Sequence, residues 1–260
     1  MKYAVVMVGL CWGTILQAAG PRLIIHHAKI VTVDPAFSIR QAMIRTATES
    51  GLQFTAHTVG DGAVETLVDV YGELSRTMPI RDMRHCITHS NFMSPETVKK
   101  VAELKVIPLV QPAWLYLDTR TLVGHFGYDR LRWFQPLRSI FEAGGIAAGG
   151  SDHMQKVGAL RSINPYDPFL GIWTTLTRQA KWYEGWLHPQ EALTREQAIR
   201  LYTINCAKAL FLDKEVGSLE KGKLADFIVL DTDLLTCPVD AIREAKVLRT
   251  YSDGRLVFQR

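Results

Sequence analysis

Short apolar runs alternate with helical patterns through the middle of the chain. Between these runs, apolar residues at helical spacing predict a helix that begins at Asp61, a Ser94–Pro95 start predicts another to about Leu104, and residues 42–50 suit a short third helix. Four runs have the length of a strand and are bounded by helix or loop signals: residues 52–57, 84–89, 106–111 and 146–152. Strands that alternate with helices predict a parallel sheet or barrel.

The second half of the chain has a less regular pattern. The segment between Pro112 and Pro136 is predicted to be a loop, and the aromatic-rich segment 165–188 is also predicted to be loop-like. A helix is predicted to open at Pro136. Another opens on the capping box of residues 194–197 and is predicted to run to about Leu210.

Both ends of the chain are rich in strand-like runs. Residues 24–33 form one run, and three more follow after Lys223: residues 225–230, 247–251 and 256–258. Segments from the two ends are predicted to pair as a small separate sheet. The predicted division of the chain is therefore a small β-sheet domain from residues 21–40 and 213–260, and a partial barrel from residues 41–212.

The N-terminal stretch differs from the rest of the chain. A basic start at Lys2, an apolar stretch from Ala4 to Ala19 and a small-residue sequence before Gly20 predict that residues 1–20 are a secretory signal peptide. The stretch is too short for a comfortable membrane span, and the alternative is a buried strand or helix. A signal peptide predicts a secreted or periplasmic mature chain without a membrane segment.

Composition and charge narrow the classes of function. The 260 residues are 47% hydrophobic and 22% charged, which is ordinary for a globular protein. A net charge of +4 is spread along the chain without aromatic-interleaved basic stretches, so no nucleic-acid partner is expected. The 4 cysteines have no C-x-x-C spacing, which argues against a disulfide framework and against a cysteine zinc site.

Three polar residues end apolar runs of the predicted sheet. His57 ends the first run, His89 ends the second and Asp152 ends the fourth. In a parallel α/β barrel the carboxyl ends of the strands carry the chemistry. Two imidazoles and a carboxylate are a ligand set for zinc or a similar divalent ion. A single histidine at a strand end also fits a structural role, and it is the three positions in register that favour a metal site.

Other polar and aromatic residues near these strand ends have two interpretations each. Asp61, four residues after His57, fits a helix cap or a functional role, and the helix cap is preferred. His85 shares a strand face with His89 by alternation, which suits a supporting or substrate-binding role. Gln111 fits a substrate contact or a structural hydrogen bond. The aromatic residues of the loop-like segments fit core packing or an apolar substrate pocket: Trp114, Tyr116, Trp133, Trp173, Trp182, Tyr183 and Trp186.

Four stretches of the chain resemble the motifs of one known family. They are residues 56–64 (AHTVGDGAV), 84–90 (RHCITHS), 143–152 (AGGIAAGGSD) and 193–226, which contains LTREQA and GSLEKGKLAD. Together they resemble the amidohydrolase superfamily, specifically the amidohydrolase 3 branch that contains N-substituted formamide deformylase. The resemblance implies an α/β fold, a (β/α)8 TIM-type barrel with a small β-sandwich. It implies that His57 and His89 bind a metal and that Asp152 is the catalytic, metal-associated carboxylate.

The chain also departs from this family. Members carry an H-x-H pair at the end of the first barrel strand, and this chain has no such pair. The sequence passes from the sandwich strand near Arg40 to the helix before strand five, so barrel strands one to four have no counterpart. A complete barrel needs about 250 residues, and residues 41–210 fall well short of that. Open strand edges of a partial barrel predict self-association between chains.

The resemblance implies a metal-dependent hydrolase that acts on carbon–nitrogen bonds other than peptide bonds. Water activated on a divalent metal, with zinc expected, would attack a small amide or formamide-like substrate, and Asp152 would carry the proton. The missing H-x-H ligands leave three hypotheses open. The chain is a hydrolase with one metal, a non-catalytic remnant of the family, or a secreted module that binds a ligand or oligomerises.

Overall fold

Residues 39–153 and 165–260 are described by the structure, which is a computed structural model of the chain. The predicted signal peptide, residues 1–20, lies outside the described residues. The predicted strand at residues 24–33 and nearly all of the predicted N-terminal part of the sandwich also lie outside them. These interpretations therefore stay predictions.

A parallel sheet of four strands forms the centre of the fold. Its strands are consecutive in the chain and neighbours in the sheet, in the order β1-β2-β3-β4. They are β1 (Thr55–Thr58), β2 (Cys86–His89), β3 (Ile107–Val110) and β4 (Ala148–Gly149). Each strand overlaps one of the four apolar runs, so the predicted α/β fold with a partial barrel is confirmed.

Eight α-helices are described in residues 39–153 and 165–260. They are α1 (Ile39–Glu49), α2 (Asp61–Ser75), α3 (Pro95–Leu104), α4 (Pro112–Phe126), α5 (Leu137–Glu142), α6 (Pro168–Thr177), α7 (Arg195–Leu201) and α8 (Ile204–Ala209). None of the helices in this part of the chain combines the length and the apolar character that a bilayer span requires. Short 3₁₀ helices cover Ile80–Asp82, Asp129–Trp133, Pro189–Glu191 and Val239–Glu244.

Two helices show how local sequence sets the boundaries. The Ser94 side chain accepts a hydrogen bond from the backbone N–H of Thr97 at 3.1 Å, and Pro95 is the first residue of α3. At the start of α7, the predicted capping box is present in full between Thr194 and Gln197. Both signals were readable in the sequence because they depend on residues at most three positions apart.

The structure corrects the predicted loop between Pro112 and Pro136. This segment holds the whole of α4 and the 3₁₀ helix Asp129–Trp133. The apolar run 106–111 predicts a strand that Pro112 ends, but Pro112 is the first residue of α4, where its missing N–H costs nothing. Apolar and aromatic residues occur around the whole helix, so no amphipathic period marks it.

Two further helices differ from the prediction. The loop-like segment 165–188 contains α6, which is buried on most sides and begins at Asp167, whose side chain accepts from the N–H of Phe169 at 2.8 Å. The single helix predicted to run to about Leu210 is divided into α7 and α8. The division falls at Thr203, whose backbone angles of −128° and −101° are not helical.

The two faces of the sheet pack against different helices. Ile87 of β2 lies in a buried cluster with apolar side chains of α2 and α3. Its neighbour Cys86 points to the opposite face, because side chains alternate along a strand. There Cys86, Ile107 and Ala148 pack against Ala209 of α8. The helix α8 therefore covers this face near the amino ends of the strands.

A separate antiparallel sheet forms the C-terminal region. Its strands are β5 (Phe227–Leu230), β6 (Val247–Ser252) and β7 (Arg255–Gln259), in the order β5-β6-β7. Asp253 and Gly254 join β6 to β7 with φ values of 50° and 71°, the left-handed conformation that a two-residue hairpin requires. The three predicted tail strands are thus present, while their pairing with residues 24–33 stays a prediction.

Candidate active site

His57 and His89 lie together at the carboxyl end of the sheet. His57 is the third residue of β1, His89 is the last residue of β2, and their ring centroids are 4.4 Å apart at 77°. His57 is exposed, whereas His89 is only 7% exposed. The sequence prediction that two strands deliver two imidazoles to one place therefore matches the geometry.

Asp152 follows β4 in the same parallel sheet. It is exposed and has a φ of 50°, and His89 has a φ of 72°. Non-glycine residues in this left-handed region cost conformational energy and cluster at functional sites. Among the described residues, no three His, Cys, Asp or Glu side chains are grouped so that they could hold a metal ion. The histidines are thus brought together, and the three-ligand set that includes Asp152 stays a prediction.

Gln111 holds one nitrogen of the His89 ring. The Gln111 Oε1 atom lies 2.8 Å from His89 Nδ1, and Gln111 Nε2 donates to the carbonyl oxygen of Leu109 at 3.1 Å. Of the two interpretations that the sequence left open for Gln111, the structure shows the structural hydrogen bond. The other ring nitrogen of His89, Nε2, has no hydrogen bond to any described residue.

A second buried amide, which the sequence gave no reason to single out, supports this arrangement. Gln135 Nε2 donates to the backbone oxygen of Gln111 at 2.9 Å, and the backbone N–H of Gln135 donates to the backbone oxygen of Asn91 at 2.7 Å. Gln135 is fully buried, with a φ of 46°. Its Oε1 atom has no hydrogen-bond partner in residues 39–153 and 165–260. Gln135 follows a helix that the sequence did not predict, so no local signal could have identified it.

The structure places His85 away from the candidate site. His85 precedes β2 and His89 ends it, so the two rings stand at opposite ends of the strand. His85 Nδ1 accepts from the backbone N–H of Phe54 at 3.0 Å, and its Nε2 lies 3.1 Å from Thr48 Oγ1. Burial lowers the pKa of His85 to about 4. The proposed supporting or substrate-binding role for His85 is therefore wrong, because its ring is neutral and both nitrogens are engaged.

Asp61 is the first residue of α2, and the N-cap is Gly60, so the prediction that Asp61 caps this helix is wrong by one residue. Its Oδ1 atom accepts from the backbone N–H of Gly62 at 2.9 Å, and its carboxylate pairs with Arg130. Negative charge at a helix N-terminus is favourable. Asp61 therefore stabilises the first turn of α2 without being its cap.

A cavity of about 220 Å³ lies beside the carboxyl end of β4. Ser151, next to Asp152 in the chain, lines it, but neither His57 nor His89 does. Its other principal lining residues are aromatic, apolar or acidic: Tyr116, Tyr166, Asp167, Leu170 and Tyr202. We place the candidate chemistry at the histidine pair and not in this cavity, because the cavity contains no imidazole.

The predicted aromatic residues have divided roles. Trp173 is 3% exposed, and its Nε1 donates to Asp240 Oδ1 at 2.9 Å, which joins α6 to the C-terminal region. Trp182 and Trp186 are 65% and 58% exposed. Core packing therefore accounts for Trp173, and a cavity wall accounts for Tyr116.

Comparison with known proteins assigns the chain to a family. Residues 29–258 match the model of the Amidohydrolase family, which covers most of the chain. The chain belongs to the amidohydrolase family, and the resemblance of its motifs to the amidohydrolase 3 branch is confirmed.

Two curated relatives have similar identity to this chain. It is 31% identical over 217 residues to Protein LONG AFTER FAR-RED 3 of Arabidopsis thaliana, a match that covers 82% of this chain and 35% of that protein. It is 31% identical over 216 residues to N-substituted formamide deformylase of Arthrobacter pascens, with 82% of this chain and 38% of that protein covered. The chain thus spans well under half the length of these relatives.

Solved structures share the fold. The crystal structure of an uncharacterized metal-dependent hydrolase from Pyrococcus horikoshii superimposes with a TM-score of 0.62 and 25% identity, covering 77% of this chain and 39% of that one. An amidohydrolase from Thermotoga maritima gives a TM-score of 0.56 at 19% identity, over 84% of this chain and 46% of that one. The four-stranded sheet therefore corresponds to part of an amidohydrolase barrel.

Proposed function

We propose that this chain carries part of the active site of a metal-dependent hydrolase that cleaves carbon–nitrogen bonds other than peptide bonds. The observation that carries the proposal is the pair of imidazoles at the carboxyl end of the sheet, 4.4 Å apart between centroids. Parallel α/β barrels conduct their chemistry at this edge. Membership of the amidohydrolase family supports the reaction type.

The donor chemistry of the site fits a divalent metal in part. His89 is nearly buried and has one nitrogen held by Gln111, which is typical of metal-binding histidines. Catalytic zinc sites use three protein ligands and one open position. His57 and His89 supply two ligands, and we assign the third to Asp152 because it follows the next strand but one of the same sheet. Imidazole and carboxylate together favour zinc among the common ions.

The chain's own residues suit amide hydrolysis. A bound divalent ion would polarise the substrate carbonyl and lower the pKa of water to about 7. Asp152 is exposed at the same edge and can accept a proton and return it to the leaving nitrogen. The adjacent cavity of about 220 Å³ would hold the apolar part of a small substrate against Tyr116 and Leu170.

We propose a small amide or N-substituted formamide as the substrate class. Support comes from the 31% identity to a protein named N-substituted formamide deformylase. The apolar N-terminal stretch of residues 1–20 supports secretion or export to the periplasm. Sequencing the N-terminus of the mature chain tests that part, and a chain that retains Met1 would contradict it.

A non-catalytic family member is the second candidate. It is favoured by the lack of an H-x-H pair in the sequence and by the lack of a three-ligand group among the described residues. Its exposed Trp182 and Trp186 would then belong to a binding surface. This candidate predicts a folded chain that binds no metal.

Metal content of the size-resolved chain separates the two candidates. We expect about one zinc per chain, lost in His57→Ala and in His89→Ala, because a mononuclear site needs both imidazoles. His125→Ala is the matched control, since His125 is exposed in α4 and distant in sequence from the site. Formate release from N-benzylformamide should follow the metal content. A folded chain without metal would contradict the hydrolase and favour the non-catalytic member.

A further inference from the structure

The side chain of Gln111 stands between the backbone of β3 and the ring of His89. Its Nε2 donates to the Leu109 carbonyl at 3.1 Å, and its Oε1 lies 2.8 Å from His89 Nδ1. The alternative orientation of the amide would place two acceptor oxygens, those of Gln111 and Leu109, against each other. The contacts therefore fix the amide with its oxygen towards His89.

This orientation decides which nitrogen of His89 carries the proton. An amide oxygen only accepts hydrogen bonds, so His89 Nδ1 must be the donor. In a neutral imidazole the other nitrogen is then a bare lone pair. For His89 that nitrogen is Nε2, which has no hydrogen bond to any residue in the described part of the chain. The protein thus holds His89 in the Nδ1–H form.

The support beneath Gln111 makes this arrangement rigid. Its backbone oxygen accepts from Gln135 Nε2 at 2.9 Å and from the Trp114 N–H at 3.0 Å. Gln111 and His89 are each 7% exposed, so water competes weakly for the bond between them. The position of Gln111 therefore depends on the start of α4 and on the buried loop that carries Gln135.

We propose that Gln111 is a positioning residue that sets the tautomer of His89, so that Nε2 is presented to the metal. The proposal rests on the proposed function, because it assigns His89 as a metal ligand. It adds a residue that does not touch the metal, and it explains why an amide is buried at the end of β3. Outer partners of this kind typically change metal affinity by about 10–100-fold.

Two other buried histidines provide internal references of the opposite tautomer. His85 Nδ1 accepts from the Phe54 N–H at 3.0 Å, so its proton is on Nε2. His188 Nε2 lies 2.6 Å from the Tyr128 carbonyl oxygen, which also requires a proton on Nε2. His89 is thus expected to differ from both in the same molecule.

Long-range ¹H–¹⁵N spectra of the metal-free chain test the tautomer directly. At about pH 8, where imidazole is neutral, we expect the Nδ1–H pattern for His89 and the Nε2–H pattern for His85 and His188. His89→Ala assigns the signal. Gln111→Met, which keeps the length but removes the acceptor, should change the His89 pattern alone. Gln111→Glu loses the donor to the Leu109 carbonyl but keeps an acceptor facing Nδ1, and this acceptor should retain the Nδ1–H pattern.

Zinc affinity measured by competition with a chelator completes the test. We expect Gln111→Met to weaken zinc binding by about 10–100-fold and Gln111→Glu to weaken it less, because glutamate keeps the acceptor at Nδ1. Matching circular dichroism spectra of the variants separate this effect from loss of fold. A wild-type His89 in the Nε2–H form, or a Gln111→Met chain with unchanged tautomer or zinc affinity, overturns the role of Gln111 alone. A wild-type chain that binds no zinc overturns the proposed function as well, whatever its tautomers.

Discussion

His85 and His89 lie on either end of β2, and they differ in how many ring nitrogens the fold engages. His85 is 1% exposed, and both of its nitrogens have partners. His89 is 7% exposed, with a hydrogen bond to Nδ1 only among the described residues. Burial is nearly equal, so burial does not separate a structural histidine from a candidate ligand. What separates them is that Nε2 of His89 has no hydrogen bond to a described residue and that the ring of His57 lies 4.4 Å away between centroids.

The same difference extends to the two edges of the sheet. At the amino edge, Gln53 Nε2 donates to the Ala209 oxygen at 2.7 Å and Arg84 Nη1 donates to the Lys208 oxygen at 2.8 Å. These bonds attach α8 beneath the strands. At the carboxyl edge, the rings of His57 and His89 lie 4.4 Å apart between centroids. The amino edge therefore uses its polar side chains to attach α8, and the carboxyl edge brings two imidazoles together where parallel barrels carry their chemistry.

Alanine substitution should give the largest contrast between the two ends. His85→Ala is expected to lower the free energy of unfolding by about 3 kcal/mol, because it removes a buried ring and leaves the Phe54 N–H without its acceptor. His57→Ala should change it by less than about 0.5 kcal/mol, since that ring is exposed. Urea unfolding of both variants measures this difference. Equal losses would contradict the division of roles.

Acid should weaken the amino end of the sheet, because burial lowers the pKa of His85 from 6.5 to about 4. Below pH 6.5 the unfolded chain takes up a proton that folded His85 refuses until about pH 4, so stability falls as the pH drops through this window. The full loss is about 3 kcal/mol, and it is absent above pH 6.5. Unfolding curves of wild type and His85→Gln between pH 8 and pH 4 measure it. If His85→Gln retained the same pH slope, another group would be responsible.

The sequence predicted the carboxyl edge better than the amino edge. His57 and His89 end apolar runs, and a parallel sheet aligns such ends by itself, so local pattern was sufficient. His85 was misassigned because its partners, Thr48 and Phe54, come from α1 and from the approach to β1. Strand alternation places a side chain on a face but says nothing about which end of the strand, or which remote residues, it contacts.

Helices without an amphipathic period and isolated buried amides also escaped prediction. Both α4 and α6 begin with a proline that marks a first helical turn, but neither has the amphipathic period that would identify the rest. Gln135 has hydrogen-bond partners at Asn91, Gln111 and Arg178, which are remote in sequence, so no local pattern could identify it. Whether Asp152 joins the histidine pair depends on backbone geometry after β4 that periodicity does not encode.

A smaller loss of stability is expected when the hydroxyl of Tyr71 is removed. The ring of Tyr71 contacts His85, and its hydroxyl binds the backbone of β2. Tyr71 Oη donates to the Cys86 oxygen at 3.0 Å, and its ring stacks on His85 with centroids 5.0 Å apart. Tyr71→Phe keeps the stacking and should cost about 1 kcal/mol. Tyr166→Phe, at a residue that is 72% exposed, is the matched control and should cost almost nothing. Chemical unfolding measures both costs. Equal costs would show that the Tyr71 hydroxyl does not stabilise the amino end of β2.

The smallest contrast concerns one ion pair at each edge. Arg84 and Asp213, 2.5 Å apart, are 28% and 19% exposed, whereas Arg130 and Asp61 are 59% and 51% exposed. The Arg84 hydrogen bond lowers the pKa of Asp213, so this pair stabilises the fold at a pH above the normal carboxyl range, and the stabilisation weakens as the pH falls through that range.

We expect Asp213→Asn to cost about 1 kcal/mol and Asp61→Asn less than about 0.5 kcal/mol. Added salt should reduce the cost at Asp61 further, because exposed charges are screened, and should leave most of the cost at Asp213. If urea unfolding in high and low salt gave equal costs at both sites, the amino edge would have no electrostatic advantage, and its stability would rest on the hydrogen bonds to α8 and on the packing around His85.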